Sequence, residues 1–233
     1  MKCFYHNLAI YEGDCMEAIK EEPDKAFGVA IVDPPYFSGP EKRAFYGSRV
    51  SPIGVNRYYK KSAQGWKRPT EKYFTELRRV SRQYIFWGAN YHNFPFHTGR
   101  IVWDKVNDSS DYSDCELAAT NIFDHVHIFR FMWNGMMQGE SIKNGTKQQG
   151  NKKLNEKRIH PTQKPVKLYK WLLQNYAKPG DKILDTHLGS GSSAIAAYDM
   201  GFDFTGYEID HDYFEAAKDR IERHMAQGRL FEK

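Results

Sequence analysis

The segment Asp33-Pro34-Pro35-Tyr36 places a carboxylate, backbone carbonyls and an aromatic ring within four residues. It follows the apolar run 29–32, which is typical of a buried strand, so these residues occupy a corner where a strand ends. The two prolines fix two φ angles and remove two N–H donors, which makes the corner stiff and rich in acceptors. A planar group with an amino substituent suits this corner, because its N–H groups can point at Asp33 and the Pro34 carbonyl while its face stacks on Tyr36. Asp33, Pro34, Pro35 and Tyr36 are therefore a candidate site for such an amino group.

A Pro-Pro pair by itself is more typical of a plain turn, so the prediction depends on a second motif. Residues 182–194 join an apolar strand to a helix through a turn that contains Gly189 and Gly191. Glycines let a ligand approach the backbone, and the start of the helix offers free N–H groups. The next strand ends at Glu208, nineteen residues after Gly189, where a carboxylate can accept hydrogen bonds from both hydroxyls of a ribose. Taken alone, this motif also fits the nucleotide loop of NAD-dependent dehydrogenases, but no Gly-Lys-Ser/Thr run follows to make a Walker-type phosphate loop.

Together the two motifs resemble those of the DNA amino-methyltransferases, which use S-adenosylmethionine to methylate an exocyclic amine of a DNA base. Residues 33–36 are similar to the catalytic motif of that family, and residues 185–191 with Glu208 are similar to its cofactor loop. The segment 11–14 resembles the one whose Asp contacts the cofactor adenine, and 160–165 resembles the one that closes over the methionine part. Residues 102–105 and 113–117 resemble later strands. The catalytic motif precedes the cofactor loop, which is the permuted beta arrangement of the family.

The resemblance implies S-adenosyl-L-methionine as the cofactor and a set of residues that bind it. The expected contacts are Asp14, Asp33, Thr162, Gln163, Lys164, Asp185, Gly189, Ser190, Gly191, Ser192 and Glu208. Two positions depart from the family pattern. The usual Pro-Phe is replaced by Thr186-His187, so the contact of that Phe is not carried over to His187. Ser192-Ser193 replaces a commoner Thr-Thr and keeps the hydroxyls, so helix capping and carboxylate binding are still expected.

Composition predicts one domain, residues 1–233, because a chain of this length with 40% hydrophobic residues can bury one full core. No apolar run approaches the ~20 residues that span a bilayer, and the polar N-terminus does not resemble a secretory signal. We therefore expect a cytoplasmic protein without a membrane partner. Cys3, Cys15 and Cys115 are read as free thiols, and an amine target needs no nucleophilic cysteine. We predict no metal site, since His125 and His127 have no nearby third ligand.

Positive charge is concentrated in two stretches, although the net charge is only +5. Residues 38–82 carry a balance of +9 and residues 143–170 a balance of +8, so the rest of the chain carries −12. Segregated positive charge indicates a polyanion, and aromatic residues interleaved with it in 38–68 favour double-stranded DNA over a plain solvated surface. We predict insertion 38–68 as the target-recognition region and 134–158 as a flexible basic loop that clamps the DNA backbone. The predicted DNA-binding residues are Arg43, Arg49, Arg57, Lys60, Lys61, Trp66, Lys67 and Arg68.

Strands that alternate with helices are needed to position these motifs. Strands are predicted at 8–12, 29–33, 83–87, 100–103, 117–122, 125–131, 182–185 and 204–207. Helices are predicted at 15–20, 70–80, 165–176, 192–200 and 212–227. The fold class is therefore α/β: a mostly parallel, Rossmann-like methyltransferase sheet with helices on both faces. An antiparallel edge hairpin is expected, with its turn at residues 122–125.

The predicted activity is methylation of the N6 amine of an adenine that has been flipped out of the duplex. Adenine is favoured by resemblance, since an Asp opens the catalytic motif of adenine-N6 enzymes and a Ser that of cytosine-N4 enzymes. Cytosine N4 stays open as the alternative. A dehydrogenase would leave residues 33–36 without a role, and a catalytically silent DNA-binding module would leave the cofactor loop unexplained. The resemblance also raises a homodimer and a cognate restriction endonuclease as hypotheses.

Overall fold

The computed structural model describes residues 1–37, 66–106, 113–134, 137–139 and 155–229. Within them the strands are β1 (Lys2–Tyr5), β2 (Leu8–Glu12), β3 (Phe27–Val32), β4 (Ser81–Trp87), β5 (Gly99–Asp104), β6 (Cys115–Thr120), β7 (Val126–Arg130), β8 (Met132–Asn134), β9 (Met137–Gly139), β10 (Lys182–Asp185) and β11 (Asp203–Glu208). The helices are α1 (Cys15–Ile19), α2 (Glu71–Val80), α3 (Val166–Tyr176), α4 (Ser192–Met200) and α5 (His211–Arg229), and a short 3-10 helix covers Ala89–Tyr91.

Nine strands form one mixed sheet in the order β1-β2-β11-β10-β3-β4-β6-β5-β7. The run from β2 to β4 is parallel throughout, and β7 is parallel to β5. The pairs β1–β2, β4–β6 and β5–β6 are antiparallel. The predicted α/β class with a mostly parallel sheet is confirmed, and the antiparallel hairpin at an edge is β1–β2.

The hairpin that was predicted across residues 122–125 is wrong. Strands β6 and β7 do not pair with each other, because β5 lies between them: Gly99 pairs with Thr120 on one side, and Arg100 pairs with Val126 on the other. The antiparallel partner of β6 is therefore β5, the strand before it in the chain. The short link between β6 and β7 crosses one strand instead of folding back.

Alternate residues of the central strands point to opposite faces of the sheet, and helices cover both faces. In β3, Val29 and Ile31 pack in the hydrophobic cluster that includes α3, α4 and α5. Ala30 and Val32 pack in the second cluster, which includes α1 and α2. All six residues of β3 are buried, as expected of a central parallel strand. Helices on both faces, as predicted, are thus confirmed.

Part of the predicted loop 134–158 is ordered into secondary structure. β8 and β9 form a separate two-stranded antiparallel sheet with Trp133 opposite Gln138. The Gln138 side chain forms two hydrogen bonds with the backbone of Glu156: it accepts from the N–H and donates to the carbonyl. The prediction missed β8, β9 and also β1. Among the described residues, no helix is both long and apolar enough to cross a bilayer.

Candidate active site

The carboxyl ends of the parallel strands bring the two sequence motifs together. Strand β10 ends at Asp185 and its neighbour β3 ends just before Asp33. The chain leaves these two strands in opposite directions along the sheet, because β10 leads to β11 and β3 leads to β4. Ligands of open α/β sheets bind in the crevice at such a point. The next strands add Gly88, which follows β4, and Glu116, near the start of β6.

Asp33 lies in a cluster of charged and polar side chains. Its Oδ2 is 2.5 Å from Lys164 Nζ, and its Oδ1 accepts a hydrogen bond of 2.8 Å from the Tyr36 hydroxyl. The Lys164 ammonium also lies 2.8 Å from Glu116 Oε2 and donates to the Tyr36 oxygen. The Asp33 side chain is 14% exposed and the Lys164 side chain 2%. Each Asp33 oxygen thus has one partner in this cluster, and since a carboxylate has about four acceptor positions, about two remain.

The site contains two carboxylates, Asp33 and Glu116, whose surroundings shift their pKa values in opposite directions. Burial opposes ionisation of Glu116, but Lys164 and Lys105 outweigh it and hold its pKa at about 2. Lys105 Nζ lies 2.5 Å from Glu116 Oε1. Burial raises the pKa of Asp33, Lys164 lowers it, and the negative Glu116 raises it again. Among the described residues, one ammonium and the Tyr36 hydroxyl thus favour ionised Asp33, whereas two ammonium groups favour ionised Glu116.

Gly88 makes room for the Tyr36 ring. Its φ is +71°, a conformation that side chains disfavour, and a Cβ added there would lie 2.1 Å from the ring. Tyr91 stacks on the Tyr36 ring, with the ring centroids 4.8 Å apart. Arg68 donates to the Tyr91 carbonyl. A base that stacks on Tyr36 must therefore use the face that Tyr91 leaves, or displace Tyr91.

Glu208 fastens the glycine loop to the end of β11. Its Oε2 accepts from the Gly189 N–H at 2.8 Å and its Oε1 from the Asp210 N–H at 3.0 Å. Burial raises the pKa of this carboxyl to about 7 against those hydrogen bonds. A carboxylate has about four acceptor positions, so two remain for hydroxyl donors. Gly189 has φ +53°, which suits the tight turn that brings its N–H to Glu208.

The Asp185 side chain forms its hydrogen bonds within the loop that follows it. It is 1% exposed, and its two oxygens accept from Ser193 Oγ at 2.5 Å and from the His187 N–H at 3.0 Å. Burial raises the pKa of Asp185 to about 6, against these hydrogen bonds. The structure therefore places Asp185 as a support of the turn between β10 and α4.

Arg220 of α5 supports the same turn from the other side. Helix α4 has Gly191 as its N-cap, with φ +74° and no side-chain cap. Arg220 donates to the Ser190 carbonyl at 2.8 Å and to Ser192 Oγ at 2.9 Å. It also forms an ion pair of 2.9 Å with Glu156. One guanidinium thus links the cofactor loop, α5 and the segment before α3.

The segment 160–164 is held mainly by its own side chains. The Thr162 N–H and hydroxyl lie 3.3 and 3.1 Å from His160 Nδ1, and Gln163 accepts from the Ile159 N–H. The His160 ring lies beside Gly189, and burial together with Lys164 lowers its pKa to about 3. Trp66 stacks on this neutral ring with centroids 5.4 Å apart. Trp66, which was predicted as a DNA contact, thus lies beside the glycine loop.

The departure at Thr186-His187 forms a small polar group with α2. Thr186 Oγ1 lies 2.5 Å from the Tyr73 hydroxyl and 2.9 Å from His187 Nδ1. The His187 ring meets Tyr73 edge-on, and burial lowers its pKa to about 4, so the imidazole is neutral.

Asp14 is the N-cap of α1, and its side chain accepts a hydrogen bond from the Met16 N–H.

The sequence prediction missed four residues that shape this site. They are Gly88, Lys105, Glu116 and Arg220. Lys105 and Glu116 lie in the segments 102–105 and 113–117, whose resemblance to later strands of the family is the signal that could have found them. Of the predicted DNA contacts, Lys67 is exposed, while Arg43, Arg49, Arg57, Lys60 and Lys61 lie outside the described residues. Within the described ranges, no group of three or more His, Cys, Asp or Glu side chains could hold a metal ion.

Comparison with known proteins decides the family. Residues 102–219, half of the chain, match the N6_N4_Mtase family, described as DNA methylase. The chain belongs to this family. A DNA methylase of this family is also what the two motifs resemble, so the predicted membership is confirmed.

Two curated relatives of this DNA methylase are type II methyltransferases. M.HinfI of Haemophilus influenzae is 23% identical over 91% of this chain and 67% of its own length. M2.MboI of Moraxella bovis is 22% identical over 92% of this chain and 87% of its own length. Both alignments cover the two motifs and the strands between them.

Solved structures share the fold of this methylase. The PvuII DNA methyltransferase, described as cytosine-N4-specific, has a TM-score of 0.56 and 13% identity, and the match covers 95% of this chain and 91% of that one. The Thermus thermophilus protein TTHA0409, in complex with S-adenosyl-L-methionine, has a TM-score of 0.52 and 17% identity, with 94% and 96% covered.

Proposed function

We propose that this methylase transfers a methyl group from S-adenosyl-L-methionine to the N6 amine of a flipped-out adenine in double-stranded DNA. The observation that carries the proposal is the partly exposed Asp33 carboxylate, which follows β3 beside β10 and keeps acceptor positions beyond its bonds to Lys164 and Tyr36. An acceptor in this position suits an amine, which has N–H groups to donate. A carbon target would instead need a nucleophile.

The amine of a base is a poor nucleophile because its lone pair is delocalised into the ring. Asp33 and the Pro34 carbonyl can each accept one N–H bond, which aims the nitrogen lone pair out of the ring plane. As positive charge grows on nitrogen in the transition state, both acceptors bind it more tightly than in the ground state. Gly88 and Tyr91 hold the Tyr36 ring in place for stacking. Stacking of the base on an aromatic ring contributes roughly 1–3 kcal/mol of binding free energy, which offsets part of the free-energy cost of base flipping.

The glycine loop and its neighbours fit the cofactor. Glu208 keeps free acceptor positions for two ribose hydroxyls, and the backbone at Gly189 is fixed by its bond to that carboxylate. The first turn of α4 and Ser192 suit the methionine carboxylate, since N–H groups of a first helical turn have no carbonyl partner within the helix. Asp14 is available for the adenine. When bound, S-adenosylmethionine would supply a methyl group on a sulfonium. The amine lone pair would form the carbon–nitrogen bond as the carbon–sulfur electron pair passes to sulfur, and the methylated amine would then release one proton to water.

DNA is proposed to contact the basic insertion 38–68 for recognition and the stretch 134–158 for backbone contacts. The insertion leaves directly from Tyr36, at the mouth of the pocket, and its end returns at Trp66 beside the glycine loop. The arginines of the insertion suit guanine edges, and its lysines suit phosphates. The cytoplasmic location, the homodimer and the cognate endonuclease stay predictions.

Adenine is chosen over cytosine because Asp33 opens the catalytic motif. Cytosine N4 remains the second candidate, since the PvuII methyltransferase, which shares the fold, is described as cytosine-N4-specific. The test incubates the protein with DNA and methyl-labelled S-adenosylmethionine, then digests the DNA to nucleosides. N6-methyladenine is the expected labelled product. Label in N4-methylcytosine would move the proposal to the second candidate, and absence of label from every nucleoside would overturn both.

A further inference from the structure

Lys164 was expected at the cofactor, but it is buried behind the catalytic carboxylate. Its ammonium lies 2.5 Å from Asp33 and 2.8 Å from Glu116. It also lies 5.5 Å from the centre of the Tyr36 ring and 5.4 Å from that of Trp87, over both rings. The three N–H donors of this ammonium are used by Asp33, Glu116 and Tyr36, and two aromatic rings lie next to it. Little donor capacity therefore remains for a carboxylate of the methionine part of the cofactor.

The charges around Asp33 come from several elements. Tyr36 lies on the same loop, Glu116 is on β6, and Lys105 follows β5 and pairs with Glu116. Asp185, at the end of β10, adds a further negative charge that acts in the same sense as Glu116. Among the described residues, Lys164 alone forms an ion pair with Asp33. Two buried carboxylates that share a site do not both stay ionised unless a cation balances them.

We propose that Lys164 is a positioning residue for methyl transfer, which keeps Asp33 ionised and fixes its carboxylate so that its remaining acceptor positions can receive the amine. The inference rests on the proposed function, since the amine is the group that Asp33 receives. A protonated Asp33 would present an O–H donor and lose the negative charge that stabilises the positive nitrogen. Lys164 touches neither base nor cofactor in this account and acts through Asp33.

The first test measures Asp33 itself and needs no activity. The parent protein, Lys164→Gln and Lys164→Arg are labelled with 13C at the Asp carboxyl carbon and titrated by NMR, with the Asp33 signal assigned through Asp33→Asn. An adjacent opposite charge lowers the pKa of an Asp by about 1–3 units. We expect the Asp33 titration to move up by about that amount in Lys164→Gln and to return close to the parent value in Lys164→Arg. An unchanged titration in Lys164→Gln would overturn the proposal.

Loss of a buried cation can unfold the protein, so a second pair of variants repeats the test. Glu116→Gln removes one carboxylate, and Glu116→Gln with Lys164→Gln then leaves a single carboxylate without its cation. Asp33 should titrate at higher pH in the double variant than in Glu116→Gln. Equal titration midpoints would overturn the proposal as well.

Activity readouts separate this role from a cofactor contact. In Lys164→Gln, the acid limb of the single-turnover rate should move to higher pH, whereas calorimetric affinity for S-adenosylmethionine should stay within about threefold of the parent. Lys182→Gln is the matched control, because it removes one lysine charge at the other end of the sheet and should leave both unchanged. A reduced cofactor affinity with an unmoved acid limb would make Lys164 a cofactor ligand and overturn the proposal. If the parent methylates no DNA, the proposed function fails, and the NMR titration still decides the Lys164–Asp33 pairing.

Discussion

At the scale of single residues, the carboxylates of Asp33 and Glu208 are suited to different partners. Asp33 is partly exposed and forms an ion pair with Lys164. Glu208 is bound by two backbone N–H groups and has its pKa raised to about 7 by burial. One is suited to an amine that becomes positive, the other to neutral hydroxyls.

The raised pKa of Glu208 predicts a pH-dependent cofactor affinity. The ionised carboxylate is the better acceptor for ribose hydroxyls, so affinity for S-adenosylmethionine should rise as the pH increases through about 7. Glu208→Gln should bind more weakly and lose this pH dependence. Calorimetric titrations from well below to well above that pKa measure both. A parent affinity that does not change over this range would contradict the assignment of Glu208 to the ribose.

The same group affects stability with a defined sign. The pKa of Glu208 is 4.5 when unperturbed and about 7 in the folded protein, so the folded protein holds a proton that the unfolded chain releases. This contribution is fully present below about pH 4.5 and is lost as the pH rises through about 7. It amounts to roughly 3 kcal/mol. Urea unfolding of the parent and Glu208→Gln at several pH values should show the difference.

Gly88 predicts a second residue-scale effect. In Gly88→Ala the added Cβ would meet the Tyr36 ring at 2.1 Å, so the ring must move. Gly201→Ala is the matched control, because Gly201 has φ +73° but nothing within 4 Å of the added Cβ. Both variants should lose about 1 kcal/mol of stability from the backbone conformation, but only Gly88→Ala should slow methyl transfer, by about a hundredfold. Equal single-turnover rates in the two variants would show that Tyr36 placement does not matter.

At the scale of elements, the sequence predicted strands and helices better than their pairing. Apolar runs such as 182–185 and the glycine turn after them locate β10 and α4 to the residue. The position of β5 between β6 and β7 was missed, because a short link with turn residues looks the same whether the chain folds back or crosses one strand. For the same reason the sequence predicted Asp33 but not Glu116, which reaches the site only through the pairing of β6 with β4 and β5.

Arg220 joins three elements at the cofactor loop, and its removal should affect both stability and binding. Arg220→Met leaves Glu156 without its guanidinium and removes the donors to Ser190 and Ser192. We expect a loss of roughly 2 kcal/mol or more in unfolding free energy, together with weaker cofactor binding. Arg223→Met, on the exposed side of the same helix, is the control and should behave like the parent. Cofactor affinity at the parent level in a folded Arg220→Met protein would contradict the role of Arg220 in the loop.

At the scale of the whole molecule, the positive charge is concentrated in residues 38–82 and 143–170, while the rest of the sequence is acidic. Replacing Lys60, Lys61 and Lys67 by Gln should weaken DNA binding and flatten its salt dependence, by a log–log slope of roughly 0.9 for each phosphate that the variant no longer neutralises. Lys20, Lys178 and Lys182, replaced by Gln together, form the control with the same change of net charge. Fluorescence anisotropy across a salt series measures both. Equal slopes in the two triple variants would assign the DNA surface to another part of the chain.

The central claim is that the Asp33 carboxylate accepts the amine during methyl transfer. The most direct test is the single-turnover rate of Asp33→Asn with saturating DNA and S-adenosylmethionine, beside calorimetric affinity for the cofactor. The variant keeps the shape of the side chain and removes its charge, so the rate should fall roughly a hundredfold or more, while cofactor affinity stays close to that of the parent. A rate within a few fold of the parent would contradict the account.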